Sequence, residues 1–147
     1  MSRQWLVVAD EVRARIYAMA PGSELELIET LENVAALEHA RDLRSDRPGS
    51  RTDSFGHRHA LRDEENARHL AAASFAQEIA AYLATARRAR EVDALTLIMP
   101  ARFLGQLRNA LDPECMELVR LIVRKDSLHG NDRDLRADLR EALGAGR

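Results

Sequence analysis

The sequence predicts an α/β fold: a five-stranded mixed sheet, built as a three-stranded antiparallel meander and then β-α-β-α, with helices on its faces. Three observations lead there. The chain opens on a short continuous apolar run, Trp5 to Ala9, the mark of a central strand covered on both faces. Period-two alternation follows at once, closed by a turn dipeptide. In the second half, helical periodicity alternates with short apolar runs, as expected for strands joined by helical crossovers.

Each element follows from its residues. Asp10-Glu11 supply a turn after the first strand, and Ala14, Ile16, Ala18 and Ala20 then alternate with Arg13, Arg15, Tyr17 and Met19. A half-buried second strand paired as a hairpin is the expectation. Pro21-Gly22 is a turn signal. Leu25, Leu27 and Leu31 then fall on one face of a third antiparallel strand. From about 35 to 62 no period is sustained, and Pro48, Gly49 and Gly56 interrupt a polar stretch. A long loop is expected here, with a helical turn near Ala36–Arg41; loops of such length in a domain usually carry function or are disordered.

A long helix is expected from about Asp63 to Glu91, with Leu70, Phe75, Ile79, Leu83 and Ala86 as its apolar stripe, widened by Ala71, Ala72 and Tyr82. Glu64 and Glu65 in its first turn and Arg87, Arg88 and Arg90 in its last suit the helix dipole. Ala94 to Met99 reads as a fully apolar strand stopped by Pro100. A short helix from Arg102 to Leu111 buries Phe103, Leu107 and Leu111 and ends at Asp112-Pro113. Met116 to Val123 reads as a fifth strand, with a helix as the open alternative. Asn131 can cap a last helix bearing Leu135, Leu139 and Leu143. The order is that of a ribonuclease H-like sheet.

At 147 residues, 46% hydrophobic and 31% charged, the chain suits one domain, 1–147, with a real core and a solvated surface. Its net charge of −2 points to no class of partner, so the distribution of charge matters more. One cysteine, Cys115, permits no intrachain disulfide and suits a reducing compartment, hence the cytoplasm. The first apolar run is too short for a signal peptide, and no stretch is long enough for a membrane span.

Charge concentrates in the polar segment. Arg41, Arg44, Arg47, Arg51, Arg58 and Arg62 stand against Asp42, Asp46 and Asp53. Arginine forks fit phosphates and stack on bases, and Phe55, His57 and His59 offer stacking surfaces for unpaired bases. An RNA- or phosphate-binding loop is one reading; a solvated loop pinned by Arg–Asp pairs is the other.

Catalytic patterns are sparse. His57 and His59, with Asp53 as orienting carboxylate, are the candidates for acid–base work. A His-x-His pair can share an ion when extended, with His39 and His69 in reach, but the spacing matches no standard zinc pattern, so no metal is expected. Ser45, Ser50 and Ser54 lack a nucleophile elbow. No phosphate-cradling glycine loop occurs and no cofactor is expected. Asp10 stands at a strand end without the acidic partners that two-metal chemistry needs. Cys115 and Trp5 read as core residues.

Four stretches carry a family resemblance: Trp5 to Ile16, Arg41 to Asp53, Ser54 to Ala60, and Leu97 to Leu111. They resemble the bacterial family called "protein required for attachment to host cells", over nearly the whole chain to Leu143. That family in turn resembles the middle domain of archaeal and eukaryotic class 1 release factors. There, a Gly-Gly-Gln tip between a strand and a long helix enters the peptidyl-transferase centre. The corresponding stretch here is Phe55 to Leu61, with Gly56 answering to one glycine and no glutamine.

The resemblance therefore implies a domain associated with RNA, with the ribosome or tRNA as partner, Gly56 to His59 as its tip, and no release chemistry. Two other readings stay open. One is a factor required only indirectly for attachment, without RNA binding; the other is a His-dependent hydrolase using His57 and His59.

Overall fold

Trp5 to Ala9 is buried throughout, and the reason is its place in the sheet: β1 (Gln4–Ala9) has a neighbour on each edge. The computed structural model describes residues 3–19, 24–45, 54–125 and 137, with the backbone alone at 40, 42–45 and 54–60. The expected turn at Pro21-Gly22 and the expected helix after Asn131 lie outside the described residues, Ala137 apart. β2 (Arg13–Met19) pairs antiparallel with β1, and β3 (Leu25–Glu32) antiparallel with β2. β4 (Ala94–Met99) and β5 (Val119–Arg124) continue the sheet in parallel on the other side of β1. The order β3-β2-β1-β4-β5 makes this an α/β, ribonuclease H-like sheet.

Four helices complete the described chain: α1 (Val34–Ser45), α2 (Ser54–Arg88), α3 (Ala101–Ala110) and α4 (Pro113–Leu118). One sheet face, with Val7, Ala9, Ile16, Leu95 and Leu97, packs under α2, α3 and α4. Phe75 of α2 meets Phe103 of α3 with ring centroids 6.0 Å apart, and Trp5 of β1 meets Tyr82 of α2 at 6.2 Å. These tilted aromatic contacts add to the burial energy. The opposite face gathers Leu6, Val8, Tyr17 and Ile98, all buried.

Three expectations are corrected. The segment 35–62 is no long loop: α1 occupies 34–45, and α2 begins at Ser54 rather than near Asp63. Neither helix contains proline, and Asn33 starts α1 by accepting a hydrogen bond from the Ala36 N–H at 3.3 Å. Leu70 is not part of the apolar stripe: it is 72% exposed, and the buried stripe of α2 starts at Ala72. Leu25, Leu27 and Leu31 do not share a face. The pairing passes from Ile16↔Glu29 to Tyr17↔Leu27, so Ile28 is an extra residue that switches the strand's faces. Leu31 packs with the helix-covered cluster, Leu25 with the opposite one.

The end of α2 also falls short of Glu91. Arg90 takes a left-handed backbone (φ 59). Its N–H reaches the Arg87 carbonyl at 3.0 Å, and the Glu91 N–H reaches the Ala86 carbonyl at 2.9 Å. That is a Schellman cap, which usually carries glycine. Between α3 and β5, the ambiguous stretch is both things in turn. Asp112 and Pro113 start the short α4, and β5 follows from Val119.

Candidate functional site

β1 and β4 lie side by side and parallel, with Val8 opposite Ile98. Their C-terminal ends therefore open onto the same edge of the sheet, where α/β folds commonly hold ligands. A cleft of about 310 Å³ lies there, between the β1–β2 turn (Asp10, Glu11, Val12) and the start of α3 (Pro100, Arg102, Phe103, Gln106). A smaller polar recess of about 80 Å³ shares Glu11, Arg102 and Gln106 and reaches Glu65, Arg68 and His69 on α2.

Local chemistry holds the walls. The Asp10 carboxylate accepts from the Val12 N–H at 2.8 Å and the Arg13 N–H at 2.9 Å, which fixes the turn. Asn33 is 6% exposed, and its amide donates to the Glu11 carbonyl at 2.8 Å and the Ala71 carbonyl at 3.2 Å. One side chain thus ties the turn to α2. Gln106 of α3 donates to the His69 carbonyl at 3.4 Å, tying α3 to α2. Pro100 precedes α3 without a side-chain cap, so first-turn N–H groups of that helix remain available to an acceptor.

The lining charges are less committed. Ion pairs join Arg13 to Glu32 at 3.5 Å and Arg87 to Glu114 at 2.7 Å, and neither touches the cleft. Arg68, Arg102 and Glu65 are exposed and Glu11 half-buried. Two guanidinium groups and two carboxylates therefore line the recess, Glu11 and Arg102 among them also lining the cleft, without pairing among the described residues. No group of three or more His, Cys, Asp or Glu suited to a metal ion occurs among those residues.

The residues singled out in the sequence distribute differently. Arg41 is exposed on α1 and Arg62 exposed on α2, and these two helices touch. Arg44 belongs to α1, and Gly56, His57, Arg58 and His59 belong to the first turns of α2. The backbone at His57 and His59 is helical, not the extended form that a shared ion would require. Arg47, Arg51 and Asp53 lie outside the described residues. Glu11, Arg102 and Gln106 of the cleft and Arg68 of its recess belong to no sequence motif, and nothing in the sequence singles them out.

Cys115 is fully buried. Burial pushes its thiol up to about 11, with the neighbouring Asp112 carboxylate adding to the rise against Arg87. A thiol held protonated is a poor nucleophile. No helix among the described residues is long and apolar enough to cross a membrane.

The family model described as "Protein required for attachment to host cells" matches residues 5–139. The chain belongs to this family. No curated protein matches the host-attachment chain. Its fold is similar to the crystal structure of an archaeal translation termination factor, with a TM-score of 0.50 at 14% identity. The match covers 97% of the host-attachment chain and 38% of the termination factor. A solved structure described as an archaeal protein matches at a TM-score of 0.45 and 14% identity, with the same coverage of 97% and 38%. The chain thus spans well under half the length of the solved structures it resembles, and at such identity the likeness concerns fold.

Proposed function

We propose that this host-attachment family protein is a cytoplasmic, RNA-associated domain that docks on the ribosome or tRNA through the arginines between Arg41 and Arg62, without release chemistry. One observation carries the reading. From Leu61 to Leu70 every side chain of α2 is exposed except the half-buried Glu64. A helix wetted on all sides gains nothing from the core, and the segment that leads into it, 41–62, carries six arginines against three aspartates, a balance that suits a polyanion. Arg62 and Arg68 are exposed on it, and Arg41 is exposed on the touching α1. The termination-factor likeness of the fold supports a translational partner. No Gly-Gly-Gln run occurs in the sequence, and with it the water-positioning glutamine is missing. Host attachment then depends on the protein indirectly, through events in translation.

Co-sedimentation with ribosomes across a salt series tests this. Removing one arginine–phosphate interaction lowers the salt slope by about 0.7–0.9. The variant carrying Arg47→Ala, Arg51→Ala and Arg58→Ala is expected to show weaker binding and a flatter slope. Equal sedimentation of variant and parent at low salt would sink the proposal.

A further inference from the structure

We propose that the cleft at the C-terminal ends of β1 and β4 is a binding site for a single nucleotide: a phosphate monoester whose sugar and base carry hydrogen-bond donors. Its ligand is distinct from the extended polyanion assigned to the arginine-rich segment.

The argument begins with the division of labour among polar side chains. Those that frame the cleft are committed to backbone: Asp10 to the turn, Asn33 to Glu11 and Ala71, Gln106 to His69. The buried Asn33 in particular fixes the distance between the β1–β2 turn and α2, which carries the recess. Glu11 and Arg102, which line both the cleft and its recess, and Glu65 and Arg68, which line the recess, form no ion pair with one another or with other described residues. Unpaired opposite charges around a braced cavity define what complements them. Arg68 and Arg102 call for an anion, and the planar arginine fork suits the oxygens of a phosphate. Glu11 and Glu65 repel a bare anion but accept from hydroxyl or ring amino groups. A ligand must therefore carry both an anionic group and donors some distance from it.

Size narrows the class. At about 310 Å³ the main cavity reaches the lower range of small-molecule sites, and it continues into the recess of about 80 Å³ beside His69. That is far more than inorganic phosphate or a lone metal ion would fill. The strand-end location is the one that α/β sheets use for nucleotides, and the uncapped start of α3 borders it, adding partial positive charge on the phosphate side. A free nucleotide and the phosphorylated terminal nucleotide of an RNA share this chemistry.

The test is titration of the full chain with adenosine 5′-monophosphate at low salt, read by calorimetry and by the amide resonances of Arg102 and Gln106. Adenosine and inorganic phosphate are each expected to bind at least about tenfold more weakly than the monophosphate, the equivalent of one charge-assisted hydrogen bond. Arg102→Gln is expected to weaken the monophosphate by a similar factor. Glu11→Gln separates this proposal from simple charge attraction: it should weaken the monophosphate while strengthening inorganic phosphate. No shift at Arg102 and Gln106 would overturn the proposal, as would stronger monophosphate binding in Glu11→Gln or displacement by free glutamate. A 5′-phosphorylated oligoribonucleotide that competes assigns the source as an RNA end; one that does not assigns it as a free nucleotide. The titration uses no ribosome, so its failure and the failure of ribosome docking are separate results.

Discussion

A single carboxylate holds the start of α4. Asp112 accepts from the Cys115 N–H at 2.7 Å, and that hydrogen bond holds its carboxyl below the usual carboxylate range, with Arg87 and Arg88 adding to the effect. A depressed native pKa means that the unfolded chain takes up the proton first. The charged cap therefore stabilises fully above the unfolded value of about 3.9, and its contribution disappears as pH falls through the native value. Asp112→Ala is expected to cost about 1 kcal/mol at pH 7 by urea unfolding. The difference between variant and parent should shrink at pH 3; an unchanged gap there would refute the charged-cap account. The sequence showed Asp112-Pro113 only as a helix stop. It was also the next helix's start, and a six-residue helix offers too few apolar positions to display a period.

At the scale of elements, legibility tracked burial. β1, β4 and α3 were readable because their apolar residues face a core, and apolar spacing is a record of what is buried. Most of α1, beyond a helical turn near Ala36–Arg41, and the start of α2 at 54–62 read as loop for the converse reason. The described side chains of α1 are exposed or half-buried and Leu61 and Arg62 are exposed, so no buried stripe marks these described positions, and α1 starts on the Asn33 cap. β3 shows a second limit. Its leucines keep a strict odd spacing, but the extra Ile28 breaks the register, and a bulge leaves no trace in composition. In α3 the same local reasoning gives a prediction. A Cβ built on Gly105 meets nothing within 4 Å. Gly105→Ala should therefore raise stability by about 0.5–1 kcal/mol through helix propensity alone, seen as a higher urea midpoint with an unchanged slope. A loss of stability would show that the position has a packing role the open space does not reveal.

For the whole molecule, the meander followed by β-α-β-α was legible from the order of elements, and connectivity rules leave few arrangements of such a sheet. The cleft was not legible. Its residues come from the β1–β2 turn, from α2 and from α3, and only the folded sheet brings Glu11 beside Arg102. Asn33 is the joint of this assembly, and its two ends act differently. Asn33→Asp keeps an oxygen for the Ala36 N–H but loses both donated bonds, whereas Asn33→Ala loses all three. Unfolding in urea should show a loss of about 1–3 kcal/mol in Asn33→Asp, with a further loss of about 1 kcal/mol in Asn33→Ala. Parent-like stability in Asn33→Asp would mean that the two carbonyls are satisfied without it.

The N-terminal half of α2 has a mechanical consequence. From Ser54 to Leu70 it extends for roughly 25 Å at 1.5 Å per residue beyond the point where Asn33 grips Ala71. A rigid rod of that reach is a lever. A tilt of about 10° at the grip carries its far end about 4 Å, enough to move it from one hydrogen-bonding partner to the next. The same asparagine holds the turn that borders the cleft, so fulcrum and pocket wall are joined by one side chain.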